Sequence, residues 1–214
     1  MRLLVGWAFL VAIACGEPAC GSPTGLLLIP TADVLPKGDL DIKPVLNFGT
    51  DPQSNNYFLD TQFGLLNRLE AGIDYEMSGN ARSRLFGDAK YVFTTHKRSG
   101  LAAAIGTQVA MEYWPSSPYV VLTHRPARTG LHYGLMRIFG KQRWFGGVDY
   151  SLSDQWLLMA DYTSGRANYW SFGFTYTLAK KTFLTLGGYF PNSEGDPYVT
   201  VQLDFITPLG FRPR

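Results

Sequence analysis

Asp39, Asp41 and Lys43 stand two residues apart, as do Asp74 and Glu76, and Asp88 and Lys90. In extended chain, residues i, i+2 and i+4 share a face. With Asp60, Glu70, Glu112, Asp149, Asp161 and Asp204 they make a set of eleven acids against two lysines. Such groups either pair across neighbouring strands and fill an interior, or line a polar conduit whose acidic excess disfavours anions.

The other groups able to move protons are three histidines. His96 lies in a Lys-Arg-Ser-Gly turn, while His124 and His132 are candidate neighbours across the 126–130 turn, with Arg125 and Arg128 nearby. No serine or carboxylate accompanies that pair at a spacing suited to general base or nucleophile chemistry. The histidines are too scattered for a zinc site, and no acidic loop has a calcium pattern. No catalytic, cofactor-binding or metal-binding residue is assigned, and no cofactor is expected.

The elements that must position these groups are strands. Segments of about ten residues alternate apolar with polar or small residues between short turns. Twelve are expected, at 38–48, 57–64, 69–77, 85–95, 101–113, 119–125, 130–139, 144–152, 156–164, 168–178, 183–190 and 198–206. In the third, Leu69, Ala71, Ile73, Tyr75 and Met77 oppose Glu70, Gly72, Asp74 and Glu76. In the sixth, Val120, Val121 and Leu122 run together, and in the seventh Arg137 interrupts the face of Leu131, Tyr133 and Leu135.

A soluble sandwich would also alternate. Strand length suited to a tilted bilayer crossing, small inward residues and aromatics such as Trp114, Trp144, Trp156 and Trp170 near strand ends favour a membrane. The expected fold is all-β: a closed antiparallel transmembrane β-barrel of about twelve strands, which leaves no backbone group unpaired in hydrocarbon.

Three segments flank the expected barrel. Residues 1–21 carry Arg2, an apolar run from Leu3 to Ala14 and small residues at candidate cleavage sites, the pattern of a signal peptide. Ala12-Ile13-Ala14 before Cys15 resembles a lipobox, which makes Cys15 a candidate for lipidation; Ala19-Cys20-Gly21 is the competing site. Residues 22–37 form an N-terminal leader, 38–206 the barrel and 207–214 a C-terminal tail. Loss of residues 1–21 removes Arg2 and Glu17, so the net charge stays at +2, which argues against a nucleic-acid partner. The implied location is the outer membrane of a Gram-negative-type cell, with outer-membrane lipid as surroundings. With both termini periplasmic, the outer loops at 49–56, 78–84, 114–118, 140–143, 164–167 and 191–197 are short.

TGLLLIPTADVLPKGDL, residues 24–40, resembles the N-terminal signature of the YjbH-type family of exopolysaccharide-associated outer-membrane proteins, and GLLNRLEAGIDYE, residues 64–76, is similar to that family's turn-and-strand phrase. Familiar members are longer, so this chain would be a single-barrel version. The resemblance implies a non-enzymatic role in exopolysaccharide export or surface assembly, with exopolysaccharide and its export machinery as partners. A small-solute channel and a lipid-modifying barrel enzyme are the alternatives.

Leu26, Leu27, Leu28 and Ile29 do not alternate and need cover on more than one side. Pro30 and Pro36 leave Thr31 to Leu35 room for one helical turn, with Thr31 as its cap and Gly38 past its end. The leader, Leu26 to Thr31 above all, is expected to plug the periplasmic mouth.

Overall fold

The computed structural model describes residues 25–77, 84–96, 99–110 and 116–209. The expected signal segment with Cys15, Glu112, Trp114 and the last residues of the tail lie outside the described residues.

Twelve strands form one closed antiparallel barrel: β1 (Asp39–Gly49), β2 (Asn56–Leu66), β3 (Leu69–Glu76), β4 (Arg84–His96), β5 (Leu101–Ala110), β6 (Ser116–His124), β7 (Thr129–Ile138), β8 (Lys141–Ser151), β9 (Trp156–Thr163), β10 (Tyr169–Ala179), β11 (Thr182–Pro191) and β12 (Tyr198–Pro208). Each strand pairs with its sequence neighbours, and β1 closes on β12 with Leu46 opposite Val201 and Asp41 opposite Ile206. Closure leaves no free sheet edge. The rim at the start of β1 and the end of β12 is the terminal rim; the opposite one is the far rim.

Period-two alternation places the apolar set outward. Ile73, Ile105, Phe172 and Val199 are each at least half exposed, which an aqueous surface could not sustain all around a barrel but hydrocarbon favours. Rings pack on this exterior: Trp170 stacks 4.6 Å from Phe190, and Trp156 lies tilted 4.7 Å from Tyr176. The band of apolar side chains and the closed sheet place the protein in the outer membrane.

The two untidy strands have physical explanations. In β6, Val121 is fully buried inside while Val120 is exposed outside, because the lumen itself has an apolar half. In β7, Arg137 stays on the outer face and its Nε donates to the Gly140 carbonyl at 3.3 Å. A guanidinium there reaches the polar level at the membrane boundary. A register shift between Val92 and Thr94 of β4 lies where that strand meets Ala104 and Ala103, a bulge that alternation in β5 does not announce.

Candidate functional site

The lumen holds the leader. From Gly38, whose φ of +84° suits glycine and whose N–H donates to the Gly64 carbonyl at 2.7 Å, the chain turns back into the barrel. No helical turn forms between Pro30 and Pro36. Instead Thr31 Oγ1 accepts the Asp33 N–H at 3.3 Å, and Leu26 N–H donates to the Ile29 carbonyl at 3.0 Å to close a tight turn. The leader therefore reaches beyond the mouth, into the interior between the walls.

Leu26, Leu27, Ile29, Ala32 and Leu35 are buried. The wall receives them with missing side chains. A Cβ at Gly147 would meet Ile29 and Leu26 at 2.7 Å, and one at Gly187 would meet Leu27 at 2.8 Å. Gly173 abuts Leu27 as well, and Gly64 abuts the carbonyls of Leu35 and Pro36. Around this turn, Val121, Phe145, Met159, Tyr169 and Tyr189 complete an apolar half of the lumen.

The leader's backbone donors are met by wall side chains. Asp161 Oδ2 accepts the N–H groups of Leu27 at 3.0 Å and Leu28 at 3.1 Å, while its Oδ1 accepts Ser171 Oγ at 2.6 Å. Thr123 Oγ1 accepts Ala32 N–H at 2.8 Å, and Glu70 Oε2 accepts Leu35 N–H at 2.8 Å. An irregular segment with no strand partner can stay buried only if its donors are satisfied in this way.

Near the terminal rim a ring of polar groups joins leader to wall. Arg125 Nη2 donates to Asp33 Oδ2 at 2.6 Å, and its Nη1 lies 2.9 Å from both oxygens of Asp149. Asp149 Oδ2 lies 2.7 Å from His132 Nε2, and His132 Nδ1 lies 2.9 Å from Thr123 Oγ1. Because an ionised Asp149 only accepts, His132 Nε2 carries the proton. Burial raises the Asp33 carboxyl, but the hydrogen bond and charge of Arg125 outweigh it and hold the group below its ordinary 3.8. Burial works to lower Arg125, and Asp33 and Asp149 hold it above its ordinary value.

This corrects the expected histidine pair. Thr123, not His124, stands opposite His132, and His124 stands opposite Leu131. The carboxylate absent from local spacing is Asp149, two strand positions beyond Gly147, which pairs with His132. Hydroxyl, imidazole and carboxylate thus line up. Nucleophilic work needs an accessible hydroxyl, whereas Thr123 is buried and occupied by Ala32 N–H. The arrangement serves as an anchor.

The other half of the lumen is acidic. Of the residues expected inside, Asp39, Asp41, Asp60, Glu70, Asp74, Glu76, Asp88, Lys90, Asp149 and Asp161 are buried, and Lys43 and Asp204 are partly so. Some pair: Lys90 with Glu70 at 3.0 Å, Lys43 with Asp60 at 3.7 Å, and Lys181 with Asp39 at 2.7 Å. Arg84 adds an ion pair with Glu76 at 2.9 Å, and Gln62 donates to Asp88 at 2.7 Å. Arg84 and Gln62 lie on the inward alternation of their strands and could have been found by it. Asp33 and Arg125 lie outside the strands, where periodicity carries no signal.

No protein-family model matches the sequence, and no curated protein matches it significantly. Similarity emerges among solved structures. A KdgM porin superposes with a TM-score of 0.61 at 11% identity, covering 78% of this chain and 98% of that one. The KdgM porin in complex with disordered oligogalacturonate gives the same TM-score of 0.61 at 11% identity, with coverage of 78% and 98%. A NanC porin gives a TM-score of 0.52 at 13% identity over 78% of this chain and 98% of its own. The shared architecture is a closed barrel of porin type, and this chain has the fold of an outer-membrane porin-like barrel.

Proposed function

We propose that the protein is an outer-membrane channel for small solutes, held shut here by its own leader. The observation that carries this reading is the set of wall glycines, Gly147, Gly173 and Gly187, against which Leu26, Leu27 and Ile29 pack. In a barrel built to be solid, wall side chains would fill that space. Here a separate segment, tethered by hydrogen bonds, fills it, so its withdrawal leaves a lane. The porin-type fold supports the same reading.

One neighbour was solved with oligogalacturonate, a carboxylate-rich chain. The acidic half of this lumen meets such a solute with like charge, so an acidic oligosaccharide is not the solute proposed.

Planar-bilayer conductance of the refolded chain, intact and lacking residues 22–36, tests the proposal. Silence in the intact chain that becomes steady conductance on deletion is expected. Silence in both, with heat-modifiable gel mobility intact, overturns the channel and leaves a filled scaffold. The exopolysaccharide role rests on the residue 24–40 and 64–76 resemblance alone, and undiminished surface polymer in a deletion strain would remove it.

A further inference from the structure

The acidic half of the lumen is built against its own electrostatics. Asp60 on β2 stands directly opposite Asp74 on β3, an arrangement of like charges that disfavours a sheet. Asp41 and Asp88 flank them through their cross-strand partners, Asp41 opposite Gln62 and Asp88 opposite Gly72. Among the described residues, ion pairs reach Asp60, Glu70 and Glu76 but not Asp41, Asp74 or Asp88.

The individual oxygens show the same excess. Asp74 is fully buried, and neither of its carboxylate oxygens meets a side-chain donor. One oxygen each of Asp41, Asp60 and Asp88, and the amide oxygen of Gln62, are likewise buried acceptors without a donor among the described residues. Gln62 spends its amide nitrogen on Asp88, so among the described residues the surplus on β2 to β4 is of acceptors, with the unpaired hydroxyls of Thr107 and Tyr119 on the neighbouring β5 and β6. An unpaired buried carboxylate costs several kcal/mol. A wall with acceptor oxygens to spare, whose lysines Lys43 and Lys90 are already engaged by Asp60 and Glu70, is complementary to positive charge.

Among the described residues no three histidine, cysteine or acidic side chains converge as metal ligands. The wall therefore suits transit rather than residence, because a permeant ion must be attracted enough to enter and held weakly enough to leave. We infer that the lumen opened by withdrawal of the leader passes cations in preference to anions, with Asp41, Asp60, Asp74 and Asp88 of its β1 to β4 wall as the attracting groups and Lys43 as the opposing one. The inference rests on the channel reading.

The test uses the full-length mature chain carrying Arg125→Ala and Asp161→Ala, which untether the leader at two anchors. It is placed in a planar bilayer under a potassium chloride gradient. The reversal potential is expected on the potassium side. Asp60→Asn with Asp74→Asn and Asp88→Asn should move it toward zero, and Lys43→Gln should move it further to the potassium side. Conductance that is unselective or chloride-selective, or a preference unchanged in the triple variant, overturns the inference while leaving the channel standing. Silence of a folded, heat-modifiable barrel removes the channel, and the inference with it. One readout is independent of conductance: relieving like-charge repulsion should leave Asp74→Asn at least as heat-resistant as the parent. A lower melting point would mean that the carboxylates are structural, which overturns the inference.

Discussion

Arg125 Nη2 and Asp33 Oδ2 lie 2.6 Å apart although 92 residues separate them in sequence, and through this contact the leader is tied to the turn after β6. Asp33 sits below its ordinary 3.8 because Arg125 outweighs the effect of burial. A depressed folded value contributes stability that is present above the unfolded value and is lost as pH falls through the folded one. With side chains about two-fifths exposed, the pair is worth no more than about 1 kcal/mol. Pepsin cleavage of the leader, normalised to a free leader peptide, should therefore accelerate only below pH 3.8. In Asp33→Asn that acid-induced rise should vanish; a rise beginning near neutral pH in the parent would contradict the tether.

Gly187→Val places a branched side chain where Leu27 already sits. Overpacking of this kind costs about 1–3 kcal/mol, and Leu27→Ala, which empties the same space, costs about 2–5 kcal/mol. The double variant should recover part of the loss. Denaturant titration of all three in detergent micelles checks it, and strict additivity would mean that the two residues do not share a site.

Asp161→Ala removes the acceptor for two leader N–H groups, Leu27 and Leu28. Each buried donor left unpaired costs about 1–3 kcal/mol. Asp161→Asn keeps one acceptor oxygen and should be milder. Protease sensitivity of the leader should rank alanine above asparagine above parent; equal rates in all three would show that Asp161 does not hold it.

Lys90 and Glu70 are both fully buried and 3.0 Å apart. Lys90→Met strands the Glu70 carboxylate, at a cost of about 3–5 kcal/mol. Lys90→Met with Glu70→Leu should restore much of it, leaving chiefly the Leu35 N–H to be satisfied. Melting of the heat-modifiable band measures this, and a double variant no better than the single would refute the pairing.

Ile105 faces outward on β5, half exposed. Arginine at mid-bilayer depth on a barrel exterior costs about 2–4 kcal/mol, so Ile105→Arg should lower folding yield into lipid vesicles. Arginine at Gln142, near the far rim, should be tolerated. Equal yields would argue against hydrocarbon around this band.

Alternation makes the strands legible. Leu69 to Glu76 splits cleanly because inward and outward positions meet different solvents, and the same local rule is enough to put Asp74, Glu70 and Lys90 inside. The run Leu26 to Ile29 is legible only as a segment needing cover. The glycines that receive it, at 147, 173 and 187, look in sequence like ordinary small inward residues. Thr31 has the sequence context of a helix cap, and it does accept a nearby N–H, but Pro30 and Pro36 with the wall acceptors favour an irregular path.

By itself, then, the sequence determined a closed barrel with an apolar exterior and a polar interior, since a period of two is a property of neighbouring residues. Only the tertiary structure decided that Asp161 would hold Leu27, that Asp149 would face His132, and that the carboxylates of β2 and β3 would oppose one another. Those relationships depend on register and on closure of the sheet, which bring together groups such as Asp161 and Leu27, 134 residues apart, and no local pattern carries that information.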